Sequence, residues 1–186
     1  MHSRGDGMTN PEYECTILDA DIDAFKSKLE SLKIKNKRED FQKRYVYDFE
    51  PVNPNSWVRL RTNGNKTTLA IKDIKDKNSI GGTLKLEVEV DNFIVTNEIL
   101  NRLGYKARNY QENRREIYEY GNVLVKIDYW PLIPAYIKIE GSSENEVLDA
   151  IKSLGLENEK ITTLDVESIY SQIYGIDLLN IRELRF

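Results

Sequence analysis

Paired glutamates near the N-terminus are the first residues in this chain that could do chemistry. In the stretch NPEYECTILD (residues 10–19), Glu12 and Glu14 alternate with Tyr13 and Cys15. If the stretch is a β-strand, both carboxylates lie on one face and the apolar residues on the other. Two like charges held side by side repel each other. The pattern therefore predicts a cation opposite them, either a metal ion or a row of basic side chains.

Similar like-charged doublets recur along the chain. Arg59 and Arg61 share one face of SWVRLRT, and Glu87 and Glu89 share one face of TLKLEVEV. Other predicted strands also oppose a charged face to an apolar one, through Lys72, Lys85, Lys126, Asp128, Lys138 and Glu140. Same-face neighbours stand about 7 Å apart, so these doublets repel unless opposite charges face them from neighbouring strands. An ordinary antiparallel sheet with one solvated face is the simpler alternative.

The elements that position these residues are mostly strands. The pattern predicts about eight strands in mainly antiparallel order, with hairpin turns at residues 63–65 and at Gly121-Asn122. Helices are predicted after the first, fifth and last strands, and a final helix begins near Asp165. A capping box of Ser143 and Glu146 marks the start of the third helix. The fold class is therefore α+β.

The apolar strand faces need a cover, and amphipathic helices would supply it from outside if the sheet closes into a barrel. The charged faces would then line the inside of that barrel. A barrel of about eight strands can hold one small ligand. Buried charges there cost several kcal/mol each unless they are paired. A polyanion with a divalent cation satisfies both signs, because basic groups bind phosphate oxygens and carboxylates hold the metal.

Length and composition exclude several other functions. The 186 residues suit one domain, residues 11–186, after a lead-in at residues 1–10. The net charge of −4 argues against general nucleic-acid binding. No apolar run reaches the roughly 20 residues of a membrane span. One cysteine, Cys15, excludes an intrachain disulfide and fits a reducing, cytoplasmic compartment. One histidine, His2, leaves little room for zinc or histidine chemistry.

An ordered set of motifs resembles the CYTH superfamily, the triphosphate tunnel metalloenzymes. The motifs run from about Glu12 to Tyr174 and comprise Glu-x-Glu, VRLR, TLAIK, KLEVEV, LGY, RREIYEYGNVLVKIDYWPLIPAYIKIEG and IYSQIYGID. The superfamily includes class IV adenylate cyclases, thiamine triphosphatases and inorganic tripolyphosphatases. The resemblance implies a closed, eight-stranded antiparallel β-barrel with flanking helices, a tunnel that binds a triphosphate with Mg²⁺ or Mn²⁺.

The resemblance also implies roles for individual residues. Catalytic roles fall to Glu12, Asp128 and Glu140. The implied metal ligands are Glu12, Glu14, Glu87, Asp128 and Glu140. Substrate binding falls to Arg59, Arg61, Lys72, Lys85, Arg115, Lys126 and Lys138. The implied substrate is a triphosphate-bearing small molecule, namely ATP, thiamine triphosphate or tripolyphosphate, with no membrane partner. A homodimer is one alternative for the oligomeric state.

Three positions depart from the family pattern. Thr16 replaces the signature lysine, Asn113 stands where a lysine often precedes the arginine at 115, and Lys138 replaces a glutamate on the last strand. Lys138 and Arg44, the latter where the family often has Asp, are expected to restore positive charge. Each phosphate contact is worth about 1.5–3 kcal/mol, so uncompensated losses would weaken the site. Three alternatives follow: a metal-dependent triphosphate hydrolase or cyclase, a degenerate tunnel that binds a nucleotide, polyphosphate or organic phosphate without turnover, and a scaffold.

Overall fold

Eight antiparallel strands close into a barrel in the computed structural model, which describes residues 10–186. The strands are β1 (Asn10–Leu18), β2 (Asn36–Asp48), β3 (Ser56–Thr62), β4 (Thr67–Ile74), β5 (Thr83–Val90), β6 (Ala107–Tyr120), β7 (Val123–Tyr129) and β8 (Tyr136–Gly141). Their order around the barrel is β6-β2-β3-β4-β5-β1-β8-β7, and pairing of β7 with β6 closes the ring. The predicted fold class is confirmed. The predicted lead-in lies outside the described residues except for Asn10, where β1 begins.

Helices flank the barrel. They are α1 (Ile22–Ser31), α2 (Phe93–Arg102), α3 (Glu144–Ser153) and the short α4 (Val166–Ser168). The predicted cap of α3 is present, since the Glu146 amide donates to the Ser143 hydroxyl at 3.3 Å, and Asp21 caps α1 by accepting from the Ala24 amide at 3.0 Å. After α4 the chain continues into a π-helical turn at Ile169–Ile173, where a regular helix was expected. Within residues 10–186, the helices are all too short or too polar to span a bilayer.

Two short strands extend the barrel at its margins. Strand β9 (Lys160–Thr162) pairs with β1, and β10 (Glu183–Leu184) pairs with β6 in parallel. Between them, residues 163–173 cross one end of the barrel, and several of them line its cavity. We call residues 163–173 the cover segment.

The main core lies outside the barrel wall, between β1, β7, β8 and the helices α1 and α3. Its fully buried members include Ile17, Val125, Ile127, Ile137 and Ile139. Burying each such side chain stabilises the fold by about 1.5–3 kcal/mol. Because strand residues alternate between faces, packing these apolar residues outward turns the charged residues between them inward.

The helical cover is incomplete at β5, where the expectation that helices hide every apolar face is wrong. Leu86 and Val88 on the outer face of β5 are 40% and 58% exposed. The nearby helix α2 has no fully buried residue. The inward face of β5 still contributes charged side chains to the barrel, so the gap in the outer cover leaves the interior pattern intact.

Candidate active site

A charged tunnel runs through the barrel. A cavity of about 370 Å³ occupies the end beneath the cover segment, and one of about 340 Å³ occupies the opposite end. Arg61, Arg115 and Lys126 line both cavities, so the two meet in the middle of the barrel. The predicted convergence of charged strand faces on one enclosed channel is therefore present.

Basic side chains outnumber acidic ones in this tunnel. Among the described residues, the larger cavity is lined by six carboxylates and by ten basic side chains, an excess of four positive charges. The seven predicted substrate-binding residues are all among the ten: Arg59, Arg61, Lys72, Lys85, Arg115, Lys126 and Lys138. Four of the predicted metal ligands line the same cavity, and the fifth, Glu87, lines the opposite one.

Like charges face each other directly across neighbouring strands. The register sets Lys72 opposite Lys85 and Lys126 opposite Lys138. A third pair, Arg44 and Arg61, faces inward from β2 and β3. Directly opposed like charges destabilise a sheet. Three such pairs of cations in one barrel indicate a site built to bind an anion rather than to stabilise the fold.

The carboxylates at the N-terminal end of β1 are held by lysines. Glu12 accepts from Lys72 and lies 3.2 Å from the Lys85 ammonium. Glu14 accepts from the Lys138 ammonium at 2.8 Å. Although burial alone would raise the pKa of Glu14, Lys138 and its neighbouring lysines hold that pKa well below its usual range. Lysine side chains of the protein itself therefore supply the positive charge that the Glu-x-Glu pattern predicted.

A buried ion pair between β6 and β7 fixes one wall of the tunnel. The Arg115 guanidinium donates through Nε and Nη2 to the two oxygens of Asp128, at 2.6 and 2.7 Å. Asp128 is fully buried and also accepts from the Asn113 amide at 3.3 Å. Burial would raise the pKa of Asp128, but Arg115 outweighs it and lowers the pKa. Because both oxygens are engaged, Asp128 positions Arg115.

Strand β3 carries an arginine pair that shares one carboxylate on β5. Arg59 and Arg61 reach Glu87 at 3.3 and 3.9 Å. The charge of Arg59, together with burial, lowers the pKa of Arg61. One carboxylate between two guanidinium groups leaves positive charge unmatched. Glu87 is therefore placed to orient the arginines, and an anion in the tunnel would relieve their repulsion.

Burial makes one tunnel lysine titrate close to neutral pH. The side chain of Lys72 is 8% exposed. Burial first, and repulsion by Arg59 second, lower the pKa of its ammonium to about 8 despite the attraction of Glu12. Burial and repulsion by Arg115 likewise lower the pKa of Lys126. A bound anion would favour the protonated form of both lysines.

Two of the five predicted metal ligands are direct neighbours across the barrel wall. Glu14 on β1 and Glu140 on β8 are direct cross-strand partners, so their side chains lie on the same inner face. Within residues 10–186, no three acidic, histidine or cysteine side chains are grouped to hold an ion. Mg²⁺ is commonly held by one or two carboxylates together with substrate phosphates. Glu14 and Glu140 fit such a shared site, once Lys138 and Lys126 turn from them to a phosphate.

Several residues that line the site were not among the predicted ligands. Trp57 and Arg108 lie at the end beneath the cover segment, and Arg108 pairs with Glu167 of that segment at 2.5 Å. Tyr136 begins the inward row of β8 that continues to Lys138. A half-buried tryptophan and a core tyrosine give no charge signal in a sequence. Only the closed barrel shows that they face the same space as the lysines.

The fold and this lining define a closed barrel with an enclosed, mainly basic interior. A family model, the CYTH domain, matches residues 10–168, and the chain belongs to this family. The family binds triphosphate substrates and is generally metal-dependent. No curated protein matches the chain significantly.

Solved structures share the fold. The PH1012 protein of Pyrococcus horikoshii is 25% identical, with 83% of this chain and 96% of that chain covered and a TM-score of 0.71. A candidate adenylate cyclase of Vibrio parahaemolyticus is 11% identical, with 88% and 99% covered and a TM-score of 0.72. HpAC1 of Hippeastrum, a candidate adenylyl cyclase with a dominant triphosphatase activity, is 14% identical, with 92% and 99% covered and a TM-score of 0.58. The last two likenesses show the fold alone.

Proposed function

We propose that this protein is an enzyme that processes a triphosphate-bearing small molecule inside its tunnel, with a divalent metal ion. The observation that carries the proposal is the set of three opposed cation pairs, Arg44/Arg61, Lys72/Lys85 and Lys126/Lys138. A triphosphate carries roughly four negative charges at neutral pH, because its terminal group loses a second proton near pH 6. The excess of four positive charges in the larger cavity favours the binding of such a polyanion.

The side chains would divide the work by position. Arg59, Arg61 and Arg115 donate to phosphoryl oxygens, because guanidinium groups bind phosphate through two parallel hydrogen bonds. Lys126 and Lys138 leave their carboxylates and neutralise the charge that develops during phosphoryl transfer. Such transfer leaves little covalent work to a protein, so positioning and neutralisation account for most of the rate. We assign Asp128 and Glu87 to holding these arginines in place.

Glu14 and Glu140 would hold Mg²⁺ or Mn²⁺. The metal would supply a Lewis acid for a phosphoryl oxygen and orient the nucleophile. Glu12, held between Lys72 and Lys85, keeps both ammonium groups directed at the phosphate chain. In a hydrolase the nucleophile is water, and in a cyclase it is the ribose 3′-hydroxyl of ATP. Both reactions use the same charges, and they differ in which phosphorus atom the nucleophile attacks.

A second candidate function is binding without turnover, and one contact favours it. Lys138 lies on the strand where the family often carries a second glutamate, and it forms an ion pair with Glu14 at 2.8 Å. If Lys138 stays on Glu14 in the complex, the metal loses one of its two carboxylates. The tunnel would then bind a nucleotide, polyphosphate or organic phosphate as a stable complex.

A two-part assay separates these functions. Purified protein is incubated with tripolyphosphate, ATP or thiamine triphosphate, with Mg²⁺, Mn²⁺ or EDTA, while phosphate release and cyclic AMP are measured. Metal-dependent phosphate release supports a hydrolase, and cyclic AMP with pyrophosphate supports a cyclase. Tight binding of tripolyphosphate without either product supports the second candidate. Absence of both binding and turnover with every substrate would contradict the proposal. A cytoplasmic location and a homodimer stay predictions.

A further inference from the structure

Five buried hydrogen-bond donors that line the larger cavity have no partner among the described residues; two of them are Nε of Arg59 and Nε of Arg108, and the other three come from β2, β8 and the loop after β7. These three are Nε of Arg44, Nε1 of Trp130 and the hydroxyl of Tyr136, and within the described part of the chain none has a hydrogen-bond acceptor. The three residues are 6%, 3% and 1% exposed. All three line the larger cavity. A buried donor without an acceptor loses its hydration and gains nothing in return, so a cluster of three needs an explanation.

These residues form one group, which we call the donor cluster. The Arg44 guanidinium carbon lies 4.6 Å from the centre of a Trp130 ring. Trp130 packs edge-on against Tyr170 of the cover segment, with ring centres 6.2 Å apart. The Tyr170 hydroxyl donates to the Pro131 carbonyl at 2.5 Å. The cover segment therefore holds the indole in place, and the donor cluster is a packed part of the barrel wall.

Among the described residues the positive charge of the cluster, on Arg44, forms no ion pair, and the neighbouring carboxylate, Asp128 opposite Tyr136, is already paired with Arg115. Arg44 donates to the side-chain carbonyls of Gln42, at 3.0 Å, and of Asn113, and both are neutral amides. Burial, and repulsion by Arg59 and Arg61, lower the pKa of the guanidinium. An anion beside Arg44 would oppose both effects. The chemistry of the missing partner is therefore that of a negatively charged group.

The donors also define which part of a ligand would fit. Two of the three unpartnered atoms are N–H groups that can only donate, and the Tyr136 hydroxyl can donate as well, so together they favour a ligand group rich in acceptors, such as a phosphoryl group. Along β8, Tyr136 lies two residues before Lys138. This spacing places Tyr136 about 7 Å nearer the covered end than Lys138. The opposed lysine pairs would hold the central part of a phosphate chain. The cluster lies one step beyond them.

We propose that Arg44, Trp130 and Tyr136 form an additional oxyanion subsite that binds the phosphoryl group of the substrate nearest the covered end of the tunnel. The inference rests on the proposed function, because it assigns a place to one group of the same polyphosphate. It also implies that the tunnel discriminates between ligands by the length of their phosphate chain. A diphosphate held by the lysines does not reach the cluster, whereas a triphosphate does.

The test compares binding of tripolyphosphate and pyrophosphate to the intact protein by calorimetry. Tyr136→Phe removes only the hydroxyl, and Arg44→Met removes the charge at similar length. Tyr136→Phe is expected to bind tripolyphosphate at least tenfold more weakly and pyrophosphate within twofold of the wild type. Arg44→Met also breaks the Arg44/Arg61 pair, so it is expected to weaken binding of both ligands, and that of tripolyphosphate more. Urea unfolding of free Tyr136→Phe should be unchanged or shifted to higher urea, since no hydrogen bond is lost.

The matched control is Tyr118→Phe. The Tyr118 hydroxyl, also buried, donates to Glu116 at 2.8 Å in the wall away from the tunnel. This variant should unfold at lower urea and bind both ligands as the wild type does. It shows that loss of a buried tyrosine hydroxyl does not by itself weaken binding.

The outcomes separate this inference from the function on which it rests. If the wild type binds tripolyphosphate and Arg59→Met abolishes binding while Tyr136→Phe and Arg44→Met bind normally, the subsite is wrong and the tunnel stands. If both cluster variants lose pyrophosphate and tripolyphosphate affinity equally, the length-measuring subsite is also wrong. If the wild type binds neither ligand, the proposed function itself fails and the inference fails with it.

Discussion

Replacing Arg59 by methionine should remove much of the tunnel's affinity for a triphosphate while leaving the free protein folded. Arg59 lines the larger cavity, its side chain is 11% exposed, and its Nε has no partner among the described residues. Its one described ion pair is with Glu87, at 3.3 Å. After the substitution Glu87 keeps Lys85 at 3.5 Å and Arg61 at 3.9 Å, so no carboxylate is orphaned.

The size of the effect follows from that contact set. A charge-assisted hydrogen bond to phosphate contributes about 1.5–3 kcal/mol, which corresponds to roughly a 10- to 150-fold rise in the dissociation constant. At a tripolyphosphate concentration 100 times the wild-type dissociation constant, binding adds about 2.7 kcal/mol to the free energy of unfolding. A 100-fold weaker variant would gain only about 0.4 kcal/mol at the same concentration.

Urea unfolding with and without tripolyphosphate measures this difference directly. Without ligand, Arg59→Met should unfold at the wild-type midpoint or slightly above it, because repulsion on Arg61 is relieved. Lys160→Met is the control, since Lys160 is 51% exposed, pairs with the exposed Asp19 and lines neither cavity. A ligand-induced shift in Arg59→Met equal to that of the wild type would refute the assignment of Arg59 to the anion site.

Three further predictions follow from the ion pairs. Asp128→Asn leaves Arg115 buried without its carboxylate and should lower the free energy of unfolding, measured in urea, by about 3–5 kcal/mol. The exposed control Glu119→Gln should change the free energy of unfolding by less than about 1 kcal/mol. Equal effects of the two substitutions would contradict a structural role for Asp128. Lys72, whose pKa of about 8 lies below its unfolded value, should take up a proton when tripolyphosphate binds at pH 9. Calorimetry should show this uptake as a binding enthalpy that depends on the ionisation enthalpy of the buffer. Lys72→Arg should abolish the buffer dependence, and a variant that keeps it would show that another group takes up the proton. In the free protein the same depressed pKa means that stability rises with pH between about 8 and 10.5, because the unfolded state binds the proton more tightly there. Glu14→Gln and Glu140→Gln should each remove the enhancement of tripolyphosphate binding by Mg²⁺ or Mn²⁺, whereas the exposed Glu89→Gln should keep it; retained enhancement in both tunnel variants would exclude the proposed metal site.

The strand faces could be predicted from the sequence, because alternation alone decides which side chains share a face. Arg59 with Arg61, and Glu12 with Glu14, needed only a period of two. The apolar partners of these residues then required a cover, and helices near the first and last barrel strands supply it. The same logic failed at β5, because it cannot say which outer face a helix will reach.

The opposed pairs could not be predicted, because they depend on the register of strands that are distant in sequence. Arg44 faces Arg61 only because β2 and β3 pair with that offset. Glu14 meets Glu140 across 126 positions of chain, and no local pattern fixes that contact. Tyr136 carries no charge and resembles any buried aromatic residue until its hydroxyl is seen without an acceptor. The site therefore follows from barrel closure as much as from residue type.

Calorimetric titration of the wild-type protein with tripolyphosphate is the most direct test of the central claim, that the inward-facing lysines and arginines form a polyanion site. Binding should be at least 100-fold tighter than that of sulfate at equal ionic strength, and it should weaken steadily as salt screens the tunnel charges. Tripolyphosphate that binds no better than sulfate would show that the opposed cations of the barrel serve some purpose other than holding a phosphate chain.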